Sequence, residues 1–183
     1  MSNDIQQQTT VNIQEKANLI WAIADKLVGV YKPHEYGNVI LPMCVIKRFE
    51  DTLTPTKQQV LDTNAKLDKD GIVVKKGFLE TAAGQQFYNL SPFTFQNLLN
   101  DPENIKDNFE SYLNHFSENV IDIIHRMDFD REIQKMADNN VLYLVIKEFC
   151  TPKAYLGADQ VTSVDMGYIF EELVRKFSES YDE

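Results

Sequence analysis

A long stretch near the N-terminus has apolar residues at the spacing of one helical face. They are Ile13, Ala17, Ile20, Trp21, Ala24, Leu27 and Val28, at offsets of 0, 4, 7, 8, 11, 14 and 15. This spacing is the repeat of an α-helix with one buried side. Gly29 follows directly and is typical of a helix C-terminus. The pattern predicts a helix from about Asn12 with Trp21 in the core, preceded by a flexible N-terminal tail over residues 1–11.

The next segment has a different pattern, because it is apolar on nearly every side from Val39 to Ile46. Such a run predicts a helix that is buried on several faces. Pro33 favours the first turn of a helix, while Pro42 must either start the main part of this helix or kink it. The apolar run is followed immediately by two cations, Lys47 and Arg48.

The rest of the chain is also mainly helical in pattern, with strong stripes over 105–116 and 166–177 and a polar loop over 151–163. One β-branched run, Ile72 to Val74, lies between Gly71 and Gly77 and predicts a short strand. The predicted fold class is therefore all-α, a compact multi-helix domain over 12–183. It has about eight or nine helices and at most a very short strand or hairpin around 72–79.

The composition narrows the class of protein. The chain has 43% hydrophobic residues, enough for a sizeable core, and no apolar stretch long enough to cross a bilayer. Its N-terminus lacks the basic and apolar regions of a secretory signal. Cys44 and Cys150 have no nearby cysteine partner, so we expect neither a disulfide nor a thiolate metal site. These features favour a cytoplasmic protein without membrane contact.

The net charge of −10 is unevenly distributed. Residues 1–80 carry ten cations and ten acids, whereas residues 81–183 carry eight cations and eighteen acids. Phosphate neutralisation needs clustered cations, so the acidic half is a poor partner for nucleic acid. The charge pattern predicts that the chain binds DNA only weakly on its own.

The sequence carries no recognisable catalytic motif. Its seven glycines form no G-x-G, and there is no G-K-[ST] and no H-x-x-x-H. The three histidines are scattered, and the acids within 128–132 and 170–173 are typical of solvated helix faces. We therefore predict no catalytic, no cofactor-binding and no metal-binding residue in this chain.

Lys47 and Arg48 are the candidate contact residues. They can form a phosphate or acidic-partner contact at the end of a rigid, buried helix. The alternative is a solvated helix face on which they pair with Glu50 or Asp51. The sequence alone leaves both interpretations open.

Two motifs give the chain a family resemblance. "LIWAIADKLVGVYKPHEYGNVILPMCVIKRFED" (19–51) resembles the start of the methylation (M) subunit of type I restriction–modification systems. That start has the form L-W-x-x-A-D-x-L-R-G, then E-Y-x-x-V-I-L-P, then K-R-x-x-D. "DMGYIFEELVRKFSE" (165–179) resembles the family's later G-x-[IV]-[YF]-E-x-L helix. The chain departs from the family at Val28, where a basic residue is common, and this weakens a DNA role for that turn.

The resemblance implies the N-terminal helical domain of an adenine-specific DNA methyltransferase subunit. In the family, a catalytic domain with an N-P-P-[YF] tetrapeptide follows, binds S-adenosylmethionine and methylates N6 of adenine. This chain has no such tetrapeptide, so we expect no cofactor in it. The implied partners are the specificity (S) subunit, the restriction (R) subunit, a second M subunit and DNA.

The resemblance implies a DNA-clamping and subunit-docking domain without activity of its own. Two alternatives remain open. One is a structural lid that makes protein contacts only, and the other is an unrelated helical adaptor.

Overall fold

The structure, a computed structural model, describes the backbone of residues 2–181 and the side chains of residues 3–7, 10–175 and 177. Met1 of the predicted tail, and residues 182 and 183, lie outside these. The helices are α1 (Ser2–Leu27), α2 (Gly37–Leu53), α3 (Lys57–Lys69), α4 (Lys76–Ala83), α5 (Phe95–Leu98), α6 (Ile105–Asn114), α7 (Glu118–Arg126), α8 (Asp130–Asp138), α9 (Leu142–Glu148) and α10 (Ser163–Tyr181). Within residues 2–181 there is no sheet, only two isolated β-bridges. The predicted all-α fold class is confirmed.

Single helical turns join several of these helices, at Pro33–Glu35, Thr54–Thr56, Pro102–Asn104 and Pro152–Ala154. Each begins at or next to a proline, whose fixed φ suits a first turn. No described helix is both long enough and apolar enough to cross a membrane.

The first helix is longer than the sequence predicts, because it begins at Ser2 and continues through residues 2–11. The mobility of that tail stays a prediction. The helix ends before Gly29, whose φ of +86° is a conformation that suits glycine. This end agrees with the sequence pattern.

The prediction that Trp21 lies in the core is wrong, because its side chain is 42% exposed. Val28, at the end of the predicted stripe, is 65% exposed. Successive helical residues are rotated by about 100°. Trp21 therefore lies one step beyond the buried Ile20, and Val28 one step beyond the buried Leu27. The buried face of α1 therefore includes fewer residues than the apolar stripe in the sequence.

The second helix runs through the core, and residues such as Val39, Ile40 and Met43 are fully buried. This confirms the burial predicted for the apolar run. Pro42 lies inside the helix, in its second turn. The missing N–H of Pro42 removes only the bond to the carbonyl of Asn38, which is an exposed residue.

The short strand predicted at Ile72 to Val74 is wrong. These residues form a connection without regular structure, and α4 begins at Lys76. Branched side chains favour strands only where a neighbouring strand and a packed face are present. Here Val73 and Val74 are 88% and 82% exposed, so neither condition is met.

A group of aromatic side chains fills the centre of the domain. Phe95 packs edge-to-face with Phe109, Tyr112 and Phe149, with ring centroids 6.0 to 6.2 Å apart. The last helix, α10, packs against α1 and the Pro33–Glu35 turn. Tyr36 and Phe177 meet edge-to-face there at 5.5 Å. This packing joins the two ends of the described chain.

Candidate functional site

Lys47 is a buried cation with partners inside the domain. Its Nζ lies 2.5 Å from Oδ2 of Asp51, one helical turn later on the same face of α2. The same ammonium group donates to the carbonyl of Ala154 at 3.3 Å. Only 6% of Lys47 is exposed. An ammonium group this deeply buried needs such partners, because burying an unpaired charge is costly.

Arg48 is half-buried and binds the same part of the chain. Its Nη1 donates to the carbonyls of Leu156 and Val161, at 3.1 and 2.7 Å. The amide of Leu156 in turn donates to Oδ2 of Asp51 at 2.9 Å. Both backbone groups of Leu156 are therefore held by side chains of α2.

Residues 151–162, which connect α9 to α10, are held from three helices. From α1, Lys16 donates to the carbonyl of Lys153 at 2.6 Å, and Asn12 donates to the carbonyl of Gln160 at 3.0 Å. From α10, Asp165 accepts the amide of Thr162 at 3.1 Å. We call Lys16, Lys47, Arg48 and Asp51 the anchor cluster. It fixes the connection that leads into α10.

The structure settles only part of the prediction for Lys47 and Arg48. Pairing of Lys47 with Asp51 is confirmed, but a solvated position for Lys47 is wrong. Contact of either cation with DNA or a partner stays a prediction. For Lys47 such a contact would require breaking the bonds to Asp51 and Ala154.

Glu50 has a role in the core instead. Both of its carboxylate oxygens accept the amide of Phe95, at 2.9 and 3.2 Å. Burial raises the pKa of this carboxyl above its ordinary value of 4.5, even though the bond to Phe95 and nearby lysines act in the opposite direction. Glu50 thereby joins α2 to the start of α5.

Sequence reasoning missed Asn12 and Lys16 as bonding residues. A signal was present, because Asn12 and Lys16 are spaced four apart and continue the buried face through Ile20. A polar residue at such a position indicates a buried group with a partner. Asp51 was named as a possible partner of Lys47, but its bond to the distant Leu156 amide was not predicted.

A cavity of about 530 Å³ lies beside the anchor cluster. Lys47, Glu50 and Asp51 contribute to its wall, together with Cys150 and Tyr155. Every buried side-chain N or O atom of the described residues has a partner. Burial raises the pKa of the Cys150 thiol to about 11, which disfavours a reactive thiolate.

The described residues also contain no group of three His, Cys, Asp or Glu side chains placed to hold a metal ion. Both cysteines are free, and burial raises the pKa of Cys44 to about 12. In the anchor cluster, charges and carbonyls are matched and hold one segment in place.

Comparison with known families identifies the class of the domain. The family model described as the HsdM N-terminal domain matches residues 16–149, from the second half of α1 to the end of α9. The chain therefore belongs to this family, and it is an N-terminal domain of a methylation subunit of a type I restriction–modification system. No curated protein and no solved structure matches the chain. Residues 151–162 and α10 lie outside the matched range.

Proposed function

We propose that this chain is a subunit-docking domain that joins its methylation subunit to the other subunits of the complex and helps the complex to close around DNA. It is not catalytic itself. The whole subunit transfers the methyl group of S-adenosylmethionine to N6 of adenine, and the specificity subunit selects the DNA site.

The internal use of Lys47 and Arg48 is the observation that carries this proposal. These are the two candidate residues for phosphate contact, and both are bound to the 151–162 segment. The remaining charge is unfavourable for DNA, since the chain carries −10. Protein contacts therefore carry the docking role, and the other subunits provide most of the DNA affinity.

The anchor cluster supports the same role mechanically. The family resemblance places the catalytic domain after the helix that corresponds to α10. Side chains from α1, α2 and α10 hold the connection into that helix. A firmly held α10 lets a partner bound to this domain fix the position of the catalytic domain.

A domain deletion tests the proposal. The methylation subunit with and without this domain is mixed with the specificity and restriction subunits, and assembly is followed by sedimentation. We expect deletion to weaken assembly about tenfold or more, while binding of S-adenosylmethionine by the subunit is kept. Unchanged assembly and unchanged DNA affinity of the truncated complex would rule the docking role out.

A salt series on the 183-residue chain tests the weak DNA affinity. We expect weak binding with a shallow dependence on salt, because few phosphates are neutralised. Tight binding with a steep salt dependence would show a direct DNA clamp instead.

A further inference from the structure

The connection between α3 and α4 carries the most exposed apolar side chains of the described structure. Val73 and Val74 are 88% and 82% exposed, and Phe78 is 54% exposed. We call residues 66–78 the tip. Three large exposed apolar side chains lie within six residues here, whereas single exposed apolar residues are ordinary on protein surfaces.

The tip is held in place by its own contacts. Lys75 donates to Oδ1 of Asn64 at 3.0 Å and also pairs with Asp68. The amide of Ile72 donates to the carbonyl of Leu67 at 2.9 Å. Leu79, directly after the tip, is 1% exposed and belongs to the core. Leu67 and Leu79 are both buried, and the two exposed valines lie between them in the chain.

The tip also differs from the rest of the chain in charge. It contains four lysines and two aspartates, a net charge of +2 in a chain of −10. Lys76 is 79% exposed at its side chain, and its nearest carboxylate, on Glu80, is 3.9 Å away. Lys66 and Lys69 are exposed as well. An apolar centre is thus bordered by cations.

We propose that the tip is a docking surface for a protein partner whose contact patch is apolar and bordered by carboxylates; this inference rests on the docking function proposed above. Protein interfaces combine an apolar centre with a polar rim, and opposite charges on the two rims set their orientation. DNA is a poorer match, because the most exposed side chains of the tip are valines and phosphate contacts come from cations and polar groups.

The central test uses Val73→Asp in the complete complex of methylation, specificity and restriction subunits. We expect the variant to weaken assembly about tenfold or more, because it places a charge at the centre of an apolar contact. Its melting temperature stays at the wild-type value, since the side chain is 88% exposed. Val11→Asp, at a valine of α1 that is 47% exposed, is the matched control and leaves assembly unchanged.

A charge reversal tests the chemistry of the partner. Lys69→Glu/Lys76→Glu weakens assembly more at low salt than at high salt, because exposed charges are screened as ionic strength rises. A loss of assembly that does not depend on salt would overturn the proposal that carboxylates border the partner's contact patch.

The remaining outcomes are distinct. Equal assembly of Val73→Asp and wild type overturns the docking surface and leaves the docking function standing. Assembly that survives deletion of the whole domain overturns both. Unchanged assembly with a loss of DNA affinity in Lys69→Glu/Lys76→Glu would make DNA the partner and overturn the protein-partner proposal.

Discussion

Two cationic regions of this domain differ in whether their cations are bonded inside the domain or exposed. Lys47 and Arg48 follow an apolar run on α2 and are bound inside the domain, whereas the lysines of the tip surround exposed valines. The difference lies in what faces each region. The 151–162 segment presents carbonyls to α2, while no described segment covers Val73 and Val74. A cation next to a buried helix becomes an anchor when a facing loop supplies its acceptors.

The anchor cluster also shows why its charges are tolerated in the interior. Lys47 and Asp51 are both less than 10% exposed, so their attraction offsets a large desolvation cost. Removing one partner leaves the other buried and unpaired. Lys66, Lys69 and Lys76 of the tip bear no such cost, because they are exposed to water.

The largest expected effect is that of Asp51→Ala. This change leaves the Lys47 ammonium without its carboxylate and the Leu156 amide without its acceptor. We expect the free energy of unfolding, measured with urea, to fall by about 3–5 kcal/mol.

Glu110→Ala is the matched control, because it breaks another i, i+4 pair on the surface, in which Glu110 lies 3.2 Å from Lys106. It should cost less than about 1 kcal/mol. Similar losses for the two variants would erase the contrast between buried and exposed pairs.

A smaller loss is expected for Arg48→Ala. The carbonyls of Leu156 and Val161 lose their donor. Leaving such acceptors without a donor lowers the free energy of unfolding by about 1–3 kcal/mol. Arg126→Ala provides the control, since that arginine is exposed and should change stability by about 0.5 kcal/mol or less. Equally small effects at both positions would mean that Arg48 is not an anchor.

Glu50 makes the stability of the domain depend on pH. Its folded-state pKa is raised above the ordinary 4.5 by burial. The native state therefore holds the proton more tightly, and this contribution to the free energy of unfolding is lost as pH rises through the folded-state pKa. Glu50→Gln removes the titration and keeps an acceptor for Phe95. We expect the stability of the variant relative to wild type to increase as pH rises above about 4.5. A relative stability that is flat or falling over this range would contradict the raised pKa.

The smallest effect on stability is expected at the tip. Lys69→Ala/Lys76→Ala should change the free energy of unfolding by about 0.5 kcal/mol or less, because both side chains are exposed. Thermal and urea unfolding check this. A loss comparable to that of Arg48→Ala would show that the tip lysines also serve the fold.

Sequence patterns predicted the helical class, the burial of α2 and the helical stripe over 166–177, because these depend on local periodicity. They failed where the outcome depended on a distant segment. The exposure of Trp21 depends on which neighbours reach the edge of the α1 stripe. The carbonyl acceptors of Lys47 and Arg48 lie more than 100 residues away along the chain. The valines at 73 and 74 have strand propensity, but the fold supplies no strand to pair with them.

Amide hydrogen exchange of residues 151–162 measures the anchoring directly. In the wild-type chain, the Leu156 amide is bound to Asp51 and the Val161 amide to the carbonyl of Gly157, each at 2.9 Å. We expect Arg48→Ala to speed exchange in this segment by about tenfold or more, as a local opening would. Val73→Asp should leave it unchanged. Equal protection of residues 151–162 in wild type and Arg48→Ala would contradict the anchor role, because it would show that Arg48 does not hold this segment in place.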